Sequence, residues 1–282
     1  MASVLITGTS KGIGFETALA FGRVGRQVYA TMRNPSHSPL LGEIAARENL
    51  PITISKMDVD SDESVSEAIA VILKSNGPID VLVNNAGVEA VGSVEELPLA
   101  KFRAVMETNY FGALRCIQAL LPQMRQRRSG CIINVSSVAG RLSCPPLISY
   151  CASKWALEAL TEGLAGEMKT FNVRVASVEP GIIATSMADR IEHPATQSHY
   201  GQSARFVALY ANAAKSPVPP PLVAAKILDV AESGSWQLRH PVGPDALPFL
   251  QWRSGMPDED WVEMNAGDDA TFFSRLSELG KN

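Results

Sequence analysis

Tyr150 and Lys154 stand four residues apart in the run Tyr150-Cys151-Ala152-Ser153-Lys154, and Ser137 lies thirteen residues upstream. On a helix, positions i and i+4 share one face. A phenol, an amine and a hydroxyl gathered there suit proton exchange with a substrate oxygen. Two unit charges about 4 Å apart at an effective dielectric of about 20 interact by roughly 4 kcal/mol, or about 3 pKa units. The Lys154 ammonium is therefore expected to pull the Tyr150 phenol down from its usual value of about 10 toward neutrality. The plain alternative is a tyrosine packed over a lysine stem, which the same spacing allows.

The elements that must position these groups are written in the flanking sequence. Ser3 to Thr7 reads as a short buried strand, and Gly8-Thr9-Ser10-Lys11-Gly12-Ile13-Gly14 follows it directly, opening a helical pattern over Phe15 to Val24. A strand, a glycine turn and a helix N-terminus form a site for a pyrophosphate, because glycines let the backbone come close and the free N–H groups face the anion. Further strands are expected over 27–31, 52–57, 79–83, 130–135, 173–178 and about 236–239, with helices near 40–48, 62–75, 100–128, 149–170 and 222–233. This alternation predicts an α/β fold, a doubly wound parallel sheet of about seven strands with helices on both faces. Residues 1–282 are expected to form a single domain, and Ser216 to Pro221 reads as a proline-rich connector within it.

The spacing TGxxxGIG at Thr7 to Gly14, the turn Asn84-Asn85-Ala86-Gly87, and Ser137 with Tyr150 and Lys154 resemble the short-chain dehydrogenase/reductase family in its compact form. Pro180-Gly181-Ile182-Ile183-Ala184-Thr185 matches the family's PGxxxT segment, so the resemblance runs over about residues 3–185. It implies a Rossmann-type fold and a nicotinamide dinucleotide that carries hydride between an alcohol and its ketone or aldehyde. Under the resemblance, Tyr150 exchanges the proton, Ser137 hydrogen-bonds the substrate oxygen, and Lys154 lowers the phenol's pKa and holds the nicotinamide ribose. Asn109, 22 residues after Gly87, corresponds to the family's asparagine that links the lysine to a proton-relay water. Gly8, Ser10, Lys11, Gly12, Ile13 and Gly14 fall to the pyrophosphate turn. Asn85, Ala86 and Gly87 fall to the adenosine ribose, and Pro180, Gly181, Ile183 and Thr185 to the nicotinamide.

Cofactor choice is read from charge. A dinucleotide fold that selects NAD usually places an acid about 20 residues past the glycine turn. Here Tyr29-Ala30-Thr31-Met32-Arg33-Asn34 has none. Arg33 and Lys11 can meet a 2′-phosphate instead, so NADP(H) is the expected cofactor and NAD(H) the alternative; two solvated surface cations are the competing interpretation. Asp58 and Val59 match the family's adenine contact, although Asp58 also suits a helix cap ahead of Ser61.

Composition narrows the remaining classes. The chain has 282 residues, 46% of them hydrophobic, and a net charge of −4, which allows a sizeable core and argues against nucleic acid as a partner. The cations Arg125, Arg127 and Arg128 suit a helix C-terminus better than an anion patch. No apolar run approaches the roughly 18 to 20 residues of a membrane span, and the first strand begins almost at Met1, so no membrane association and a cytoplasmic location are expected. Cys116, Cys131, Cys144 and Cys151 are read as core thiols, and His37, His193, His199 and His240 lack metal-ligand spacing. No metal is expected.

A small-molecule alcohol or carbonyl is the expected partner, with the chain forming a homodimer or homotetramer as the family does. Residues 182–220 correspond to the family's variable lid and connector. Met187, Ile191, Phe206, Val207, Leu209 and Tyr210 suit an apolar ligand and equally suit packing of a lid helix. Val88 to Ser93, Arg141 to Pro146 and Glu179 are expected at the same pocket. Val28 to Arg33 and Tyr150 to Leu160 are similar to the hydroxysteroid and retinol dehydrogenase branch, which favours a hydrophobic substrate. The extension over 245–282, with Trp252, Trp261, Phe272 and Phe273, is expected over the substrate side or at a subunit contact. Competing interpretations are a regulator that senses NADP(H) without turnover, and a nucleotide-sugar epimerase or dehydratase; the latter group usually has TGxxGxxG and a larger C-terminal domain.

Overall fold

The computed structural model describes residues 2–185, 198–213 and 215–277. Seven strands, β1 (Ser3–Thr7), β2 (Gln27–Met32), β3 (Ile52–Lys56), β4 (Val81–Asn84), β5 (Gly130–Val135), β6 (Val173–Pro180) and β7 (Arg239–Val242), form one sheet in the order β3-β2-β1-β4-β5-β6-β7. Every neighbouring pair is parallel. Parallel strands covered on both faces need continuous apolar runs, and Val4, Leu5 and Ile6 of β1 are fully buried. Their side chains alternate between the two layers. Val4 and Ile6 join a core with α1 (Gly12–Arg23), α2 (Leu40–Arg47) and α8 (Pro220–Glu232), while Leu5 joins one with α3 (Asp62–Asn76), α5 (Gly112–Arg127) and α6 (Ile148–Lys169).

The strand order reverses between β1 and β4, so a crevice opens at the carboxyl ends of those two strands. Both glycine-containing turns leave the sheet there. Helix α7 (Gln202–Ala213) lies between β6 and α8, and α9 (Ala246–Ser254), α10 (Asp258–Ala266) and α11 (Asp269–Leu276) follow β7. Among the described residues, no helix is long and apolar enough to cross a membrane.

Two expectations need correction. The helix foreseen over 100–128 is α4 (Leu99–Met106), a π-helical turn (Glu107–Phe111) and α5 in succession. A single widened turn leaves apolar periodicity almost unchanged, and such turns are found frequently at functional sites. The last strand, foreseen at 236–239, is β7 at Arg239–Val242, because Arg239 registers against Ser177 and Val242 against Pro180. Trp236 stays outside the sheet with the Lys169 ammonium 3.5 Å from its ring centroid. The cations closing α5 bond neighbouring segments rather than the helix's own carbonyls: Arg127 bonds Asp80 at 2.9 Å and the Ile79 carbonyl at 2.8 Å, and Arg128 bonds the Thr170 carbonyl at 2.7 Å.

Candidate active site

The two turns at the switch point are tied to each other. Thr7 Oγ1 accepts from the backbone N–H groups of Asn85 and Ala86 at 3.0 Å each, and Asn85 Nδ2 donates to the carbonyls of Thr7 at 2.9 Å and Gly8 at 3.0 Å. A Cβ on Gly14 would fall 2.3 Å from Asn85 Nδ2 and 2.5 Å from the Gly8 carbonyl oxygen, so α1 can start this close only with glycine there. Lys11, the N-cap of α1, is extended and its side chain makes no capping bond. The first N–H groups of α1 therefore lack a side-chain cap beside Gly8, Ser10, Lys11, Gly12 and Ile13, all of which line a cavity of about 510 Å³.

Arg33, Asn34, His37, Asp58 and Val59 line the same cavity. Arg33 is exposed. Asp58 does not cap the following helix: Ser61 accepts from Ser64 N–H at 3.2 Å, while Asp58 Oδ1 accepts from Asp60 N–H at 3.2 Å.

Ser137, Tyr150 and Lys154 also line this cavity, together with Asn85, Ala86 and Gly87. Lys154 is buried, its ammonium donating to the Val135 carbonyl at 2.8 Å and lying 5.6 Å from the Tyr150 ring centroid. Burial pushes Lys154 down to about 8, with Glu158 opposing. Burial also pushes the Tyr150 phenol up, the Glu89 carboxylate adds to that, and a hydrogen bond with Ser137 opposes it. The direction is opposite to the one that spacing alone suggests. Desolvation outweighs an ammonium that sits over the ring and bonds a carbonyl.

Asn109 lies in the π-helical turn and is buried. Its Oδ1 accepts from Val88 N–H at 2.8 Å, and its Nδ2 donates to the Val88 carbonyl and to Ser153 Oγ, both at 2.9 Å. Like Gly14, it stands behind the cavity wall rather than in it. Pro180 ends β6, and Gly181, Ile183 and Thr185 continue the cavity lining. Gly181 faces Asp245, whose Oδ2 accepts from Ile182 N–H at 2.7 Å. The twenty residues singled out in the sequence thus converge, eighteen at the cavity and two supporting it.

A family model described as short chain dehydrogenase matches residues 2–196. The chain belongs to the short-chain dehydrogenase/reductase family. Retinol dehydrogenase 8 of Bos taurus is 43% identical over 194 residues, 67% of this chain and 61% of that protein, so the chain spans less than two thirds of that relative's length. A short-chain dehydrogenase from Streptomyces avermitilis of solved structure covers 98% of both chains at 32% identity, with a TM-score of 0.79. A variant of actinorhodin polyketide ketoreductase, solved with NADPH, covers 87% of this chain and 97% of its own at 25% identity and a TM-score of 0.78. Short-chain dehydrogenases/reductases bind NAD(P) and act on small molecules of the alcohol and carbonyl type. The cavity lining suits a dinucleotide in chemistry, since it combines an uncapped helix terminus with the Ser137 and Tyr150 hydroxyls.

The substrate side of this short-chain dehydrogenase/reductase holds both surprises and corrections. Of the residues expected there, Val88, Glu89, Leu142 and Cys144 line the cavity, whereas Ala90 to Ser93, Arg141, Ser143, Pro145, Pro146 and Glu179 do not. Arg141 and Glu179 pair with each other at 3.3 Å instead, the fully buried Glu179 carboxyl facing a cation. Phe206, Leu209 and Tyr210 of α7 face the cavity, as do Phe249, Trp252, Trp261, Phe272 and Leu276 of the C-terminal helices. Trp252 and Trp261 meet edge to face at 5.5 Å. Met187 and Ile191 lie outside the described residues. Asp245 and Asn265 were not foreseen; a Pro-Asp pair after the last strand was the only signal for the first, and nothing local marks the second. Burial pushes the Cys116 thiol up to about 12 and Cys131 to about 11, consistent with inert core positions. Cys151 is a core position too, and it packs with the half-buried Cys144 beside Tyr150. Among the described residues, no group of three or more His, Cys, Asp or Glu is placed to hold a metal ion.

Proposed function

We propose that the chain is an NADP(H)-dependent oxidoreductase that interconverts a secondary or primary alcohol with its ketone or aldehyde, acting on a hydrophobic substrate. The observation that carries this is the single cavity shared by the uncapped start of α1, Arg33, and the Ser137, Tyr150 and Lys154 side chains. The bound dinucleotide supplies or accepts the hydride. Ser137 and Tyr150 hydrogen-bond the substrate oxygen, and a phenol kept protonated at neutral pH is ready to give its proton to an alkoxide. Lys154 holds the ribose, and the Val135 carbonyl fixes its ammonium for that contact. Asn109 acts as a positioning residue, fixing the Val88 backbone and Ser153 beside the tyrosine–lysine helix.

NADP(H) is favoured because Arg33 is an exposed cation at the cavity rim where NAD enzymes place an acid, and Lys11 adds a second cation. The aromatic wall from α7 and α9–α11 favours a bulky apolar substrate. A cytoplasmic location accords with four cysteines that are all free. Exposed apolar side chains on the helices carrying the site, Phe111 and Trp155 among them, support a homodimer or homotetramer. A panel of aliphatic, aromatic and polycyclic ketones, aldehydes and alcohols, assayed separately with NADPH and NADH, tests the proposal. Turnover of apolar members with NADPH is expected; cofactor binding without turnover of any member would overturn it.

A further inference from the structure

Arg205 belongs to the lid helix α7, yet its guanidinium is spent entirely on the C-terminal helices. It is 7% exposed. Its Nε lies 2.8 Å from Asp269 Oδ1, its Nη1 donates to the Asn265 carbonyl at 3.0 Å, and its Nη2 donates to the Gly267 carbonyl. The Phe272 ring centroid is 4.8 Å from the guanidinium carbon. Those acceptors are not arbitrary. The Asn265 and Gly267 carbonyls lie at the C-terminal end of α10, where orphan acceptors and the negative end of the helix dipole attract a cation. Asp269 opens α11, the end of a helix that suits an acid. One planar fork thus joins three helices, a geometry that a lysine's point charge cannot reproduce.

Arg205 does not itself line the cavity, but its neighbours on both sides do: Phe206 and Tyr210 on α7, and Asn265 and Phe272 on the clamped helices. We infer that Arg205 is a positioning residue that latches the C-terminal helices to the lid helix and so fixes the aromatic wall that bulky apolar substrates contact. This rests on the oxidoreductase reading above. A small carbonyl compound that reaches only Ser137 and Tyr150 gains nothing from that wall. The latch therefore sets selectivity for size rather than the chemical step.

The test uses the full chain with Arg205→Met, which keeps the apolar stem and takes the guanidinium away from the exposed Asp269 and from the Asn265 and Gly267 carbonyls. Hydrogen exchange of residues 258–277 is expected to accelerate. KM for a long-chain or polycyclic ketone should rise roughly tenfold, the loss of about one charge-assisted hydrogen bond. KM for a small aldehyde and the Kd for NADPH should stay the same, and Arg205→Lys should restore only part of the difference. Unchanged exchange, or faster exchange with an unchanged ratio of the two KM values, would overturn the latch. Should Arg205→Met fail to fold, Asp269→Asn, altered at an exposed side chain, is expected to shift the exchange in the same direction by a smaller amount; no shift there overturns the latch equally. Absence of turnover with every carbonyl would sink the oxidoreductase reading and leave the exchange measurement free to judge the clamp.

Discussion

Replacing Glu179 with Gln is expected to remove a pH dependence from the stability of the fold. The carboxyl is fully buried immediately before Pro180-Gly181, and three acids compete there for two cations. Arg239 already binds Glu158 at 2.9 Å and Glu162 at 2.6 Å, and lies 3.6 Å from Glu179, while Arg141 reaches Glu179 at 3.3 Å. Glu179 Oε2 has no hydrogen-bond partner among the described residues. Burial first, and then the nearby Glu158 charge, raise the carboxyl from 4.5 to about 7 against the pull of the two arginines. Between those values the folded chain keeps a proton that the unfolded chain has released, so stability falls as pH rises. The stabilising contribution is complete below about pH 4.5 and lost by about pH 7, some 3 kcal/mol in total. Roughly 2 kcal/mol of that lies between pH 5 and pH 8. Urea unfolding of wild type and Glu179→Gln at both pH values isolates it, because other titrating groups cancel in the difference. The wild type should lose about 2 kcal/mol more than the variant on going from pH 5 to pH 8. An equal loss in both chains would mean that the arginines keep Glu179 ionised throughout, and the burial argument would fail.

Changing Arg33 to Asp, at an exposed position, should leave the fold intact and weaken NADPH binding by roughly tenfold to a hundredfold while sparing NADH; fluorescence titration with both cofactors checks this, and an unchanged NADPH Kd would remove Arg33 from the 2′-phosphate site. Gly181→Ala would bring a Cβ to 2.2 Å from Asp245 Oδ1, forcing that carboxylate off Ile182 N–H. A loss of about 2 kcal/mol, or roughly 5 °C in Tm, is expected in calorimetry. An unchanged Tm would show that Asp245 can move away freely.

What could be read from the sequence was what is encoded locally. The glycine turn, the Asn84-Asn85-Ala86-Gly87 turn and Ser137, Tyr150 and Lys154 each sit where a strand or helix periodicity ends or begins, and a parallel sheet then brings strand ends together whatever the distance along the chain. The seven strands and their doubly wound order follow from the same alternation. Effects that depend on partners distant in sequence were not legible. The π-helical turn at Asn109 matters only because Val88 and Ser153 wait for its side chain. The register of β7 is set by β6, and Glu179 turns away from the cavity because Arg141 and Arg239 face it from elsewhere. The environment of the Tyr150 phenol was hidden for a related reason: spacing reveals the neighbouring ammonium but not the desolvation that opposes it. Arg205 gave no signal at all, since its partners lie about sixty residues further along the chain.

Tyr150→Phe tests the proposed chemistry most directly, because it deletes one oxygen from a half-buried ring and nothing else. With the best carbonyl substrate and NADPH, kcat is expected to fall by roughly a thousandfold, within the range assigned to general acid catalysis, while the NADPH Kd changes by no more than about a factor of two. Undiminished turnover in that variant would contradict the assignment of Tyr150 as the proton donor.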